Sequence, residues 1–62
     1  MSDLPRMERA ELIAIRQALD LTQVDMARLL GVNPRTYRRW EAGDMAIPGP
    51  AVLLARLLKK PQ

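Results

Sequence analysis

Apolar residues recur at helical spacing in four stretches of the chain, which glycine and proline residues separate. The first stretch runs from about Met7 to Leu19 and carries Leu12, Ile15 and Leu19 at positions i, i+3 and i+7. No residue before it forms a clear N-cap. Asp20 follows it and tolerates the left-handed conformation that often ends a helix. The spacing therefore predicts an amphipathic first helix that ends at Asp20.

The second stretch, residues 23–30, has a signal at each end. Thr22 is a favourable N-cap, and Asp25 completes a weak capping box. Gly31 suits the position just past the last turn. We predict a short helix whose inward side consists of Met26, Ala27 and Leu30.

The third stretch, residues 34–42, begins only three residues later. Asn33 is a favourable N-cap, Pro34 is well placed at the first helical position, and Gly43 stops the helix. The predicted helix has two different faces. One face, called the arginine face below, consists of Arg35, Arg38, Arg39 and Ala42. The other consists of Tyr37, Trp40 and Glu41.

The fourth stretch runs from Pro50 to about Lys60, where Pro61 prevents continuation. Its apolar stripe consists of Leu53, Leu54, Leu57 and Leu58. We expect one all-α domain over residues 1–62, a compact arrangement of four helices with room for a short fifth turn. The predicted core consists of Leu12, Ile15, Leu19, Met26, Ala27, Leu30, Val32, Tyr37, Trp40 and Leu54.

Composition narrows the possible chemistry. A chain of 62 residues is one small domain, and it contains neither cysteine nor histidine. Disulfides, thiol nucleophiles, cysteine-based zinc sites and histidine bases are therefore excluded. Because no metal-binding set and no glycine-rich phosphate loop occur, we expect neither an enzyme nor a cofactor. A small binding module remains.

The sequence predicts neither a secretion signal nor a membrane span. Residues Met1 to Met7 contain no apolar signal core. The longest apolar run, Ala51 to Ala55, is far too short to cross a bilayer. We therefore expect a cytoplasmic protein.

The net charge of +3 comes from one segment. Residues 33–40 hold three arginines and no acid, whereas seven basic residues balance seven acidic ones elsewhere. Such a run is usually only a solvated face. Here it lies on the second of two short helices joined by a three-residue turn, which is typical of a DNA-binding helix-turn-helix. In that unit, here about residues 22–42, the second helix enters the major groove.

The residues of this region resemble the Cro/phage-repressor helix-turn-helix family, also called the xenobiotic-response-element family. The resemblance covers roughly Leu12 to Leu58. It rests on Leu21-Thr22-Gln23, on Met26-Ala27-Arg28-Leu29-Leu30-Gly31-Val32, and on Thr36 and Trp40-Glu41-Ala42-Gly43. It implies a DNA-binding transcriptional regulator whose third helix is the recognition helix.

The resemblance also implies roles for individual residues. It assigns contacts with base edges to Pro34, Arg35 and Arg39. It assigns contacts with phosphate to Gln23, Thr36 and Arg38. A structural ion pair joins Arg16 to Glu41. Arginine pairs best with guanine, so G-containing half-sites are expected. Phosphate contact is the alternative for Arg35 and Arg39.

The two aromatic residues and Gln23 each allow a second interpretation. Tyr37 and Trp40 could be platforms for stacking on single-stranded nucleic acid, although their apolar face favours the core. Gln23 could be an ordinary exposed helix residue. The loop of residues 43–47 contains one acid and no base, unlike that of many relatives. Backbone N–H groups are therefore the phosphate donors expected from this loop, and its hold on the DNA backbone is expected to be weak.

We expect a homodimeric repressor of phage, plasmid or bacterial type, associated with the nucleoid, that binds a palindromic operator in double-stranded DNA and blocks polymerase. The fourth helix is a candidate dimer interface, because one core-facing stripe cannot hold four leucines equally well. The alternative is that all four leucines belong to the core. Relatives usually carry a fifth helix, so their dimer contact does not transfer directly. The alternative is a DNA-binding antitoxin or a protein-interaction module on the same fold. The few residues outside the four helices argue against a large toxin-binding arm.

Overall fold

The computed structural model describes residues 6–59, which contain four α-helices joined by turns and loops. They are α1 (Arg9–Ala18), α2 (Gln23–Leu30), α3 (Pro34–Ala42) and α4 (Gly49–Leu58). Between residues 6 and 59 there is no strand. The predicted all-α fold with a helix-turn-helix is confirmed.

No helix of this region is both long enough and apolar enough to span a bilayer.

The ends of α2 and α3 lie where the sequence places them, because local side chains satisfy the free backbone groups there. Thr22 Oγ1 accepts a hydrogen bond from the Asp25 amide at 3.0 Å, and Asp25 Oδ2 accepts from the Thr22 amide at 3.4 Å. Asn33 Oδ1 accepts from the Arg35 amide at 2.8 Å. Gly31 adopts the left-handed conformation after α2, with φ of +75°. Local chemistry thus sets the turn between the two helices.

The first helix is shorter than its apolar pattern suggests. It begins at Arg9 rather than at Met7, because Glu8 precedes it in extended conformation and makes no side-chain cap. It ends at Ala18, one residue before the predicted Leu19. Asp20 follows with a φ of +60°, the left-handed conformation expected of it.

The fourth helix begins at Gly49, one residue earlier than predicted, and ends at Leu58. Its predicted end, Lys60, lies outside the described residues.

The core lies between α1, α2, α3 and the inner face of α4. Tyr37, Leu12 and Met26 are fully buried at its centre. Leu19 and Val32, both predicted for the core, are partly buried and pack against it. The rest of the buried cluster consists of Ile15, Ala27, Leu30, Trp40, Ala51 and Ala55.

The prediction of Leu54 in the core is wrong. Leu54 is 36% exposed, and its neighbours Leu53 and Leu57 are 55% and 69% exposed. The buried face of α4 consists instead of Ala51, Val52 and Ala55. Small side chains allow this helix to pack closely on α1 and α2, and the larger leucines turn outward.

Candidate nucleic-acid interface

The arginine face of α3 is fully presented to solvent. Arg35, Arg38 and Arg39 are all exposed. Within residues 6–59, none of their side chains forms an ion pair or a hydrogen bond. Their guanidinium groups are therefore available to an external anion or to base edges.

Most other arginines of the described chain are already engaged. Arg16 pairs with Glu41 at 2.8 Å, and Arg56 pairs with Glu11 at 3.1 Å. Arg28 lies 3.9 Å from Asp25 in a loose exposed pair. The available positive charge is therefore concentrated on α3.

The start of α3 forms a shallow open depression. Pro34 and Thr36, predicted to contact base and phosphate, are half-buried there. The depression is lined by Asn33, Pro34, Arg35, Thr36 and Arg38. The structure thus brings most of the predicted DNA-contacting residues onto one continuous surface; Arg39 lies on the next turn of the same face. Their contacts with DNA remain a prediction.

The opposite face of α3 anchors the helix in the core. Tyr37 and Trp40 are buried, and their rings meet edge to face with centroids 6.0 Å apart and an interplanar angle of 64°. Buried rings cannot stack on bases, so the interpretation as a single-strand platform is wrong. Aromatic packing instead fixes the direction in which the arginine face points.

Glu41 joins three helices through hydrogen bonds to its carboxylate. Oε2 accepts from Arg16 Nε of α1 at 2.8 Å and from the Tyr37 hydroxyl. Oε1 accepts from Arg16 Nη2 at 3.3 Å and from Gln23 Nε2 of α2 at 2.9 Å. Arg16 Nη1 also donates to the Leu21 carbonyl at 3.0 Å. The ion pair that the resemblance implies is thus part of a larger network that holds α3 on α1 and α2.

The network keeps Glu41 ionised although the residue is buried. Burial raises the pKa of a carboxyl group, but hydrogen bonds from Arg16, Tyr37 and Gln23 outweigh it and hold the pKa of Glu41 below its ordinary value. For Tyr37, burial and the hydrogen bond to Glu41 raise the pKa strongly. The hydrogen bond to Glu41 also raises the pKa of Arg16. At neutral pH the network therefore holds one anion, one cation and one neutral phenol.

Gln23 lies at the junction of the two helices of the unit. Its side-chain amide is held by Glu41, so it is not an ordinary exposed residue. It is also the first residue of α2, where backbone N–H groups lack intrahelical partners and attract anions. Its contact with phosphate stays a prediction, for which these free N–H groups are suitable donors.

Three features of the site were missed in the sequence. Tyr37 bonds to Glu41, which the i, i+4 spacing could have indicated. Arg9 Nη1 donates to the Ala42 carbonyl at 2.9 Å and so caps the C-terminus of α3 from another helix. Trp40 Nε1 is buried without a partner within the described region. The Arg9 cap and the buried indole N–H could not be predicted from any local sequence pattern, because both arise from tertiary packing.

The loop after α3 adds no basic side chain to this surface. It begins at Gly43, which has a φ of +86°, and residues 43–46 are exposed. The sole charged residue among residues 43–47 is Asp44. Phosphate contacts from this loop would therefore depend on backbone N–H groups.

Comparison with protein families agrees with this geometry. The model of the helix-turn-helix family matches residues 12–60, which is most of the chain. The chain belongs to the Cro/C1-type helix-turn-helix family. As a member of this family it is a DNA-binding transcriptional regulator. The comparison with curated proteins gave no match.

Proposed function

We propose that this helix-turn-helix protein is a sequence-specific, homodimeric repressor that acts by occupying an operator in double-stranded DNA. One observation carries the proposal. Three exposed arginines without partners in the described chain lie on the outward face of α3, while the opposite face of that helix is locked into the core. The second helix of a helix-turn-helix unit is the one that enters the major groove.

The residues of α3 divide into those that specify and those that position. Arg39 and Arg35 donate to guanine O6 and N7, the commonest specific contact that a side chain makes in the major groove. Pro34 packs against base edges at the start of the helix. Arg38 and Thr36 contact phosphate, as do the N–H groups at the start of α2 beside Gln23. Because two arginines are assigned to guanine, each half-site of the operator should contain guanine.

A single copy is expected to bind operator DNA only with modest affinity, so two copies bind together. A module with about four phosphate contacts gives a salt slope of about −0.9 for each contact, and a modest affinity as a monomer. A symmetric pair on two half-sites about 34 Å apart adds a second set of contacts. The operator is then palindromic.

Selection of bound sites from random double-stranded DNA tests the proposal directly. We expect enrichment of a palindrome with guanine in each half and with half-site centres one helical turn apart. Enrichment of no sequence, or of a single asymmetric site, would contradict the proposal.

A reporter assay then tests repression. The selected site is placed either over a promoter or well upstream of it. Steric repression predicts reduced transcription only when the site overlaps the promoter. An increase from the upstream site would identify an activator instead.

A further inference from the structure

A second apolar stripe runs along the solvent side of α4. Pro50, Leu53, Leu54 and Leu57 lie at positions i, i+3, i+4 and i+7 and so share one face, called the outer stripe below. Its three leucines are the exposed ones described above, and Pro50 is exposed as well. The stripe contains no charged residue. Spacing of this kind is what one helix presents to another.

An apolar hollow opens beside the N-terminal half of the outer stripe. It has a volume of about 220 Å³ and a predominantly apolar lining. Pro50 and Leu54 belong both to the stripe and to the wall of the hollow. The remaining lining residues are Leu30, Val32, Trp40, Pro48 and Ala51. The face therefore has a protruding end at Leu57 and a recessed end at Pro50.

We infer that this face binds the same face of a second copy, with the two α4 helices antiparallel about a two-fold axis between Leu53 and Leu54. That axis places Leu57 of one copy opposite Pro50 of the other. The protruding end of each helix then meets the hollow of its mate. In a two-fold contact the same surface of both copies must fit itself. The outer stripe meets this requirement, because each copy supplies both a protruding end and a recessed end.

The distribution of charge fits a second copy better than a charged partner. Residues at a two-fold axis face themselves, so a charge there would repel its own copy, and the outer stripe has none. Arg56 is the nearest cation on α4, and it is neutralised by Glu11 at 3.1 Å while it donates to the Arg6 carbonyl at 2.7 Å. None of the arginines of α3 lines the hollow, so the pairing leaves the arginine face open.

The size of the stripe sets the strength of the pair. Its exposed apolar area is on the order of 300 Å² for each copy, against about 800 Å² for each partner in a stable complex. The pair is therefore weak in free solution and forms fully when two copies occupy adjacent half-sites, where their effective concentration is high. This inference deepens the proposed function and rests on its homodimer.

Cysteine cross-linking tests the contact without DNA. The chain has no cysteine, so a single introduced thiol reports one position. Leu54 lies next to the inferred axis, and Leu29 on α2 is a matched control that is 51% exposed. We expect mild oxidation to link Leu54→Cys protein into dimers at least about tenfold faster than Leu29→Cys protein, because a disulfide needs Cα atoms roughly 4.4–6.8 Å apart. Even a weak pair brings the two Leu54→Cys thiols together at each encounter through the outer stripe, so equal rates would overturn the inference.

Polar substitution tests the contact on DNA. The double variant Leu53→Gln/Leu57→Gln alters only exposed side chains, so circular dichroism should report an unchanged fold. We expect its affinity for a two-half-site operator to fall at least about tenfold while its affinity for a single half-site is retained. Leu29→Gln should change neither affinity. An unchanged two-site affinity in the double variant would overturn the inference.

The two experiments separate this inference from the proposed function. Rapid cross-linking of the Leu54→Cys protein together with failed site selection would support the interface and refute the operator. Successful site selection without faster cross-linking would support the operator and refute the interface.

Discussion

At the scale of single residues, the most consequential group is the carboxylate of Glu41. It is 8% exposed, and its two oxygens accept four hydrogen bonds from Arg16, Tyr37 and Gln23. A buried charge is tolerated only when it is paired and fully bonded. Together with the packing of the two aromatic rings, this one side chain therefore holds α3 on the two helices beneath it.

Removal of this charge should destabilise the protein. The substitution Glu41→Gln leaves the half-buried guanidinium of Arg16 without its counter-ion, and breaking a buried pair from one side costs roughly 3 kcal/mol. Denaturant unfolding followed by circular dichroism measures the loss. Glu11→Gln is a matched control, because the Glu11–Arg56 pair is exposed and should contribute far less. Equal losses in the two variants would contradict the role assigned to Glu41.

The same group makes stability depend on pH. The pKa of Glu41 is lower in the folded protein than in the unfolded chain, so the folded state favours the ionised form. Its contribution is fully present above the ordinary glutamate pKa of about 4.3 and is lost as pH falls through that value toward the lowered native pKa. Thermal unfolding at a series of pH values should show this decline. In the Glu41→Gln variant, thermal stability should decline less steeply as the pH falls.

Arg39 and Arg38 should differ in the kind of binding they support. Arg39→Ala would remove the proposed bidentate contact with guanine, so discrimination between the selected operator and a site with that guanine replaced should fall by about 1–3 kcal/mol. Arg38→Ala should weaken binding to both sites equally and reduce the salt slope by about 1. Titration of both DNAs at several salt concentrations measures these quantities. Retained discrimination by Arg39→Ala would refute base contact.

At the scale of helices, ends with a local capping signal were easier to predict than the face that α4 buries. The ends of α2 and α3 depend on Thr22, Asn33 and Gly31, whose effects are local and visible in sequence. The outward position of Leu54 is not local. Two apolar stripes run along α4, and periodicity cannot tell which one faces the core. Close approach of the helix backbone selects the face that carries Ala51 and Ala55.

The left-handed positions that end α2 and α3 predict a cost for side chains there. Gly31 has open space around it and Gly43 has Arg9 Nη1 at ordinary contact distance, 3.4 Å from an added Cβ. Steric room is thus available at both, and only the backbone conformation opposes a substitution. We expect Gly31→Ala and Gly43→Ala each to lower the free energy of unfolding by about 1–2 kcal/mol.

Asparagine provides the control for this prediction. It adopts the left-handed conformation more readily than alanine, so Gly31→Asn should retain most of the stability. Denaturant midpoints compare the three variants with the parent. No loss in either alanine variant would contradict the argument from φ.

At the scale of the whole molecule, the domain is nearly neutral apart from one helix. The exposed arginine face could be predicted because its arginines stand out in a single short segment. The Arg9 cap and the outer stripe could not, since both depend on how distant segments pack. With so little charge elsewhere, affinity for DNA of arbitrary sequence should be low.

Binding should consequently depend on the spacing of two half-sites. Insertion of about five base pairs between them turns one half-site to the opposite side of the duplex, so a symmetric pair can no longer contact both. We expect the affinity to fall to that of one half-site, and the salt slope to fall with it. Gel-shift titration compares the spaced operators. Equal affinity at both spacings would indicate independent monomers.

Trp40 provides a built-in optical signal for this protein. It is the only tryptophan in the chain, and its indole is shielded from water directly behind the arginine face. Its emission should therefore be that of an indole in an apolar setting and should shift to longer wavelength when α3 separates from the core. Because the adjacent residues are Arg39 and Glu41, the fluorescence of an unlabelled sample follows α3, the proposed recognition helix. Unfolding of that helix can thus be monitored without any attached dye.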